Sequence, residues 1–242
     1  KYLGDPDYIK APIDRLISTK NATKLRDHIS RGEATTSETL GEGPVNDNGK
    51  SNTTHFSIID KEGNRVAATL SLNIIFGSGF LAQGTGVLLN DEMDDFAIKP
   101  GTPNVYGIVG SEKNIIEPGK RPLSNMTPTF LVSEDRVGIL GTPGGVRIPT
   151  MVLLGILDFA AGNPADSWVS LARYHHQFLP DIVQFEPEAF TADEQRKLQE
   201  MHHDLNPLER RYGNMQAILW DKKANQVTAA SQPGKLGQSA VD

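Results

Sequence analysis

The chain has 242 residues, enough for one or two domains with a substantial core, and its 38% apolar and 22% charged content with 23 glycines and 15 prolines excludes a disordered or fibrous class. Net charge is −6, from 24 basic and 30 acidic side chains with no long basic run, which excludes nucleic acid as an expected partner. There is no cysteine, so disulfides, zinc–thiolate centres and cysteine nucleophiles are excluded, and the longest strongly apolar stretch, 151–161, is far short of the roughly 20 residues that span a bilayer.

The opening, Lys1-Tyr2-Leu3-Gly4-Asp5-Pro6-Asp7-Tyr8, lacks Met and a signal-peptide pattern and reads as the middle of a longer polypeptide. Residues 20–31 predict a short helix with Asn21 or Thr23 near its start. Residues 32–52 lose almost all apolar content and read as a linker or exposed loop. The pattern then changes abruptly. Residues 54–59 and 65–70, around Asp60-Lys61-Glu62-Gly63-Asn64, predict a β-hairpin. Further hairpins are predicted for 127–133 with 137–140, and for 215–220 with 226–230. Between them, 149–162 opens with Pro, ends in Gly and is apolar almost all round, which predicts a buried helix. Thr191-Ala192-Asp193-Glu194 is a capping-box pattern leading into a helix over 195–203. Antiparallel hairpins mixed with helices indicate an α+β layered fold.

The chemistry narrows by elimination. Gly141-Thr142-Pro143-Gly144-Gly145 follows a strand, but no P-loop Lys-Ser/Thr follows it. It reads either as a turn presenting backbone N–H groups to an anion or as an ordinary Gly-rich turn. The adjacent pairs His175-His176 and His202-His203 point their side chains apart, and no HExxH occurs, so no metal is expected. Glu92-Met93-Asp94-Asp95 is either a solvated loop or a carboxylate site for an ammonium group. Asn52-Thr53-Thr54-His55 is the junction of linker and strand. A Thr there becomes a nucleophile if the preceding bond is cut, because its freed α-amine, with a pKa of about 8, is a base on the same residue.

Thr53-Thr54-His55-Phe56-Ser57, with Asp60 and Gly63-Asn64, resembles the start of the small subunit of bacterial γ-glutamyltranspeptidases. The resemblance continues in order through Asn73, residues 86–96 (GVLLNDEMDDF), Lys99-Pro100-Gly101, Pro103-Asn104-Val105-Tyr106-Gly107, Lys120-Arg121-Pro122-Leu123-Ser124, Thr127-Pro128-Thr129, Gly144-Gly145, and His176-Gln177 before Leu179-Pro180. Residues 1–52 resemble the end of that family's large subunit, with its Leu-Gly-Asp-Pro-Asp motif, and 53–242 the complete small subunit.

The resemblance implies an αββα N-terminal-nucleophile hydrolase fold and a precursor that cuts itself between Asn52 and Thr53. It implies a Thr53 ester with a γ-glutamyl group from glutathione or a similar donor, passed to water or to an amino acid or peptide. Ser71 is implied to hydrogen-bond the nucleophile, Gly144 and Gly145 to bind the oxyanion, and Asn73 and Asp95, with Glu92 beside them, to bind the donor ammonium. Ser124 and Asn125 are implied at the α-carboxylate, and Tyr106 as the gate of a lid over 100–110. No cofactor is implied. The implied partner is the upstream large-subunit polypeptide, and the implied location is periplasmic or secreted.

Three positions depart from the family pattern: Ser71 stands for Thr, Ser124-Asn125 for Ser-Ser, and Ala230-Ser231-Gln232-Pro233-Gly234 for Ala-Ser-Asp-Pro-Arg. The last predicts a lost contact with the large subunit. Asn125 also keeps open an alternative, a related acylase acting on glutaryl-β-lactam or poly-γ-glutamate substrates.

Overall fold

The computed structural model of the chain describes residues 2–39, 51–104 and 109–241. The helices are α1 (Ile13–Leu16), α2 (Thr19–Arg26), α3 (Ile148–Ala160), α4 (Ala165–Ser170) and α5 (Ala192–Glu200). The strands are β1 (Ser51–Ile59), β2 (Arg65–Ile74), β3 (Leu81–Ala82), β4 (Val87–Leu88), β5 (Thr129–Val132), β6 (Arg136–Gly141), β7 (Tyr174–His175), β8 (Val183–Phe185), β9 (Leu205–Pro207), β10 (Gln216–Asp221) and β11 (Gln226–Ser231).

Three layers position the site. An antiparallel sheet in the order β11-β10-β6-β5 lies in the middle. Its centre, β6, is buried on both faces, so its side chains alternate between two neighbours. On one face Gly138 lies under Phe159 and Trp168, and Leu140 packs in the core with Met151, Trp168 and Met215 beneath α3 and α4. On the other face the β1–β2 hairpin packs against β6 and β10. Trp168 is fully buried and meets Phe159 edge-on at 5.5 Å. Truncating such a residue to Ala typically costs about 3–5 kcal/mol.

The three predicted hairpins are present, with β1 and β2 longer than expected. Thr191 and Glu194 form the complete capping box of α5. Two helix expectations are corrected. The first helix stops at Arg26 and is capped by the Ser18 hydroxyl, which accepts the Asn21 N–H at 3.1 Å. It buries no residue, so nothing sustains it further. The helix expected to be buried all round, α3, buries only Ile148, Met151, Val152 and Gly155 and leaves Leu153 and Leu157 exposed. Of the expected linker, residues 40–50 lie outside the described residues, while 33–39 are docked: Ala34 N–H donates to Met201 O at 2.7 Å and Ser37 N–H to the Asp181 carboxylate at 2.7 Å.

The Leu-Gly-Asp-Pro-Asp and Lys-Arg-Pro-Leu-Ser motifs, more than a hundred residues apart, meet directly. The buried Asp5 carboxylate accepts from Arg121 Nε at 2.9 Å, Nη2 at 2.6 Å and the Arg121 backbone N–H at 2.7 Å. These bonds hold its carboxyl far below the ordinary range. Gln232 is also placed differently from expectation. It is buried within this chain, accepting from Arg173 Nη1 at 2.7 Å and Met215 N–H at 3.0 Å and donating to Tyr212 O at 2.9 Å. The Asp-to-Gln departure therefore falls on an internal strut.

Candidate active site

Strand alternation puts Thr53, His55 and Ser57 on the face of β1 turned toward the middle sheet, and Thr54, Phe56 and Ile58 outside. Thr53 stands opposite Ser71 on β2, with their hydroxyls 3.0 Å apart. Ser71 Oγ also accepts the Asn73 N–H at 2.8 Å, which engages one of its two lone pairs. The register shifts here: Ser51 pairs with Ile74 but Thr53 with Ser71. Leu72 and Asn73 thus oppose the single residue Asn52, a bulge in which Asn73 takes φ +70°.

The bulge delivers the buried Asn73 to the loop before Asp95. Its Nδ2 donates to Asp91 O at 3.4 Å, and the Ile74 N–H donates to Asp91 Oδ1 at 3.3 Å. A 3₁₀ turn over Glu92–Asp95 then brings the two carboxyl groups together. Burial, followed by the hydrogen bond and charge of Glu92 and the charges of Asp94 and Asp91, pushes the Asp95 carboxyl up to about 8. The Asp95 carboxyl therefore holds a proton at neutral pH. Glu92 Oε1 is buried without a hydrogen-bond partner among the described residues.

On the other side, β6 ends at Gly141 and the chain turns through Gly144 (φ +148°) and Gly145 (φ +57°) into α3. Both angles lie where glycine is favoured, and a Cβ at Gly144 would overlap the Met151 Cε. The turn puts the Gly145 N–H at the start of a helical segment, a suitable place for an oxyanion.

Thr53, Ser71, Asn73, Glu92, Asp95, Ser124, Asn125 and Gly145 line a single cleft, completed by Met126 and Ile148. Eight expected site residues from five separate stretches thus converge. Gly144 sits immediately behind Gly145, Asn52 immediately precedes Thr53, and Tyr106 lies outside the described residues. The cleft measures only ≈ 30 Å³. A larger cavity of ≈ 280 Å³ adjoins it, and Asp95 and Asn125 line both.

Two supporting residues carry no role in the sequence reading. His55, two residues after Thr53, is buried with its ring against Gly141; it pairs through Nδ1 with Thr69 Oγ1 at 2.8 Å and through Nε2 with Ser57 Oγ at 3.0 Å. Burial lowers its pKa to about 4, so the ring is neutral. Strand alternation alone could have assigned it to the Thr53 face. The other is Asn114, buried between the Asp95 and Ser124 loops. Nothing local in the sequence marks it.

The γ-glutamyltranspeptidase family model matches residues 1–241. The chain is 44% identical over 200 residues to a glutathione hydrolase proenzyme of Pseudomonas sp. (strain A14), covering 82% of this chain and 35% of that protein. It is 40% identical over 223 residues to that of Escherichia coli (strain K12), covering 90% of this chain and 38% of that protein. It thus spans well under half the length of these relatives. A solved γ-glutamyltranspeptidase from Pseudomonas nitroreducens, complexed with L-DON, superposes with TM-score 0.70 at 41% identity, covering 78% of this chain and 99% of that one. With an α+β architecture, a Thr–Ser pair facing a glycine turn and a family match along its length, the chain belongs to the γ-glutamyltranspeptidase family.

Proposed function

We propose that this chain carries the nucleophilic centre of a self-processing γ-glutamyltransferase/glutathione hydrolase, with residues 1–52 ending the large subunit and 53–242 forming the small one. The observation that carries this reading is the convergence of Thr53, Ser71, Asn73, Glu92, Asp95, Ser124, Asn125 and Gly145 on one cleft.

Processing comes first. Thr53 Oγ attacks the Asn52 carbonyl carbon, the amide nitrogen leaves as the Thr53 α-amine, and an ester replaces the peptide bond. Water hydrolyses the ester and releases the Asn52 carboxylate. The free amine then serves as base for the same hydroxyl. In turnover Thr53 Oγ attacks the donor's γ-carbonyl, the Gly144 and Gly145 N–H groups bind the oxyanion, and the leaving amine departs with the proton taken from Thr53. The γ-glutamyl ester passes to water or to the amine of an amino acid or peptide. The Asp95 proton passes to solvent as the donor ammonium binds beside Asp95 and Glu92, next to Asn73, and the donor α-carboxylate meets Ser124 and Asn125.

The buried Glu92 oxygen, which has no hydrogen-bond partner among the described residues, lies in one cleft with the Asp95 carboxyl, and this pair favours a donor carrying an ammonium over a glutaryl one. The upstream polypeptide is the proposed partner. It would cover the outer face of β1–β2, where Phe56, Ile58, Val66 and Leu70 are each more than two-fifths exposed. Thr53→Ala in the full-length protein is the test: the chain should stay uncut and inactive toward γ-glutamyl anilide. An alanine variant that still splits at 52/53 after purification would end the self-processing reading.

A further inference from the structure

Two loops bring charge-binding groups to the cleft, one through Glu92 and Asp95 and the other through Ser124 and Asn125. Asn114 lies between them, 4% exposed, at the end of a 3₁₀ turn over Glu112–Asn114. Its Nδ2 donates to the Asp95 carbonyl at 2.7 Å, and its Oδ1 accepts the Leu123 N–H at 3.0 Å. Its own N–H donates to Ser111 O at 2.9 Å, and its carbonyl accepts the Ala97 N–H at 2.8 Å. The side chain thus grips the backbone of Asp95 itself and of Leu123, the residue before Ser124. Phe96 and Ala97 are buried beside it, and a Cβ at Gly110 would overlap Ala97, so the Asp95 loop is packed tightly after the grip.

We propose that Asn114 is a positioning residue that fixes the distance between the ammonium-binding and carboxylate-binding loops, and so selects donors with an α-amino acid head group. This deepens the reading of the cleft given above and rests on it. An amide carries an acceptor oxygen and a donor nitrogen on separate atoms, so it can accept an N–H on one side and donate to a carbonyl on the other. Leaving either buried backbone group unmatched lets that loop drift toward another partner. The span between the loops is what a γ-glutamyl head group uses. A glutaryl acyl group, with no ammonium, does not need both ends held.

The hydrogen bonds of Asn114 go to Asp95, Leu123, Ser111 and Ala97 and not to Thr53, Ser71, Gly144 or Gly145, so self-cleavage is expected to be insensitive to its loss. In the full-length protein, Asn114→Ala is expected to cut at 52/53 within about twofold of the parental rate while KM for γ-glutamyl anilide rises about tenfold or more and kcat stays within about threefold. The preference for γ-glutamyl over glutaryl anilide should fall by a similar factor. Asn114→Asp keeps the shape and the bond from Leu123 but loses the donor to Asp95, and should show the same pattern. An unchanged KM in either variant overturns the proposal. So does a parallel loss of self-cleavage and kcat, which marks a general structural role. A parental protein that prefers glutaryl anilide refutes the γ-glutamyl reading itself, whatever the variants do.

Discussion

The Asp95 carboxyl keeps a proton across neutral pH because burial and Glu92 hold its pKa at about 8. The unfolded chain releases the same proton near pH 4. Between these values the folded state binds more protons, so this group's contribution makes stability fall as pH rises from about 4 to about 8, and level off above. Donor binding has the opposite preference, since an ammonium needs the ionised carboxylate. KM for γ-glutamyl anilide should therefore fall as pH rises through about 8, until the donor's own ammonium deprotonates. Asp95→Asn should remove that limb and cost about 10²- to 10³-fold in kcat/KM, measured as a pH series of initial rates. The types and order of the residues that meet in the cleft were readable in the sequence, because each sits in a distinctive local string. The proton held by Asp95 was not, since it depends on burial that only the folded loop creates.

At the scale of elements, strand–turn–strand patterns located β1, β2, β5, β6, β10 and β11, and the capping box located α5. The loop between β1 and β2 was equally legible: Asp60 Oδ1 accepts the Asn64 N–H at 2.8 Å, a local bond written in local sequence. The Asn73 bulge was hidden because it depends on pairing across strands. The half-exposed α3 was misread because an all-apolar helix reveals no preferred face. The contact of β1 with β6 also lies beyond sequence reach. There the His55 ring occupies the space over Gly141, where an added methyl would sit 2.7 Å from Nε2 and closer to Cε1 and Nδ1. Gly141 lies three residues before Gly144, and His55 two after Thr53. Gly141→Ala should push the hairpin from the glycine turn and slow both 52/53 cleavage and turnover, by about tenfold or more. Adding His55→Ala should recover part of the loss, because the methyl then has room. Timed gel analysis of cleavage alongside anilide turnover would measure both rates. If Gly141→Ala leaves both unchanged, the ring does not set this spacing.

The molecule as a whole presents three of the four layers expected of an αββα fold: α3 and α4, the four-stranded sheet, and the β1–β2 hairpin. The outer face of that hairpin is open and apolar, with Phe56, Ile58, Val66 and Leu70 exposed on it. Within the chain, the segments before and after Thr53 are tied together by Asp5 and Arg121 and by the docking of 33–39. The family strings marked these segments separately, but their contact across 116 residues was not legible.

The proposed cut at Asn52–Thr53 would change the thermodynamic character of that tie. Before cleavage the chain links Asp5 to Arg121 and supplies a high effective concentration. Afterwards the contact joins two polypeptides and obeys mass action. The cut protein should therefore melt at a temperature that rises with protein concentration, while the uncut Thr53→Ala protein should melt at one temperature across the same dilution series. Arg121→Met should steepen the concentration dependence of the cut form and leave that of the uncut form flat, a comparison that scanning calorimetry can make directly.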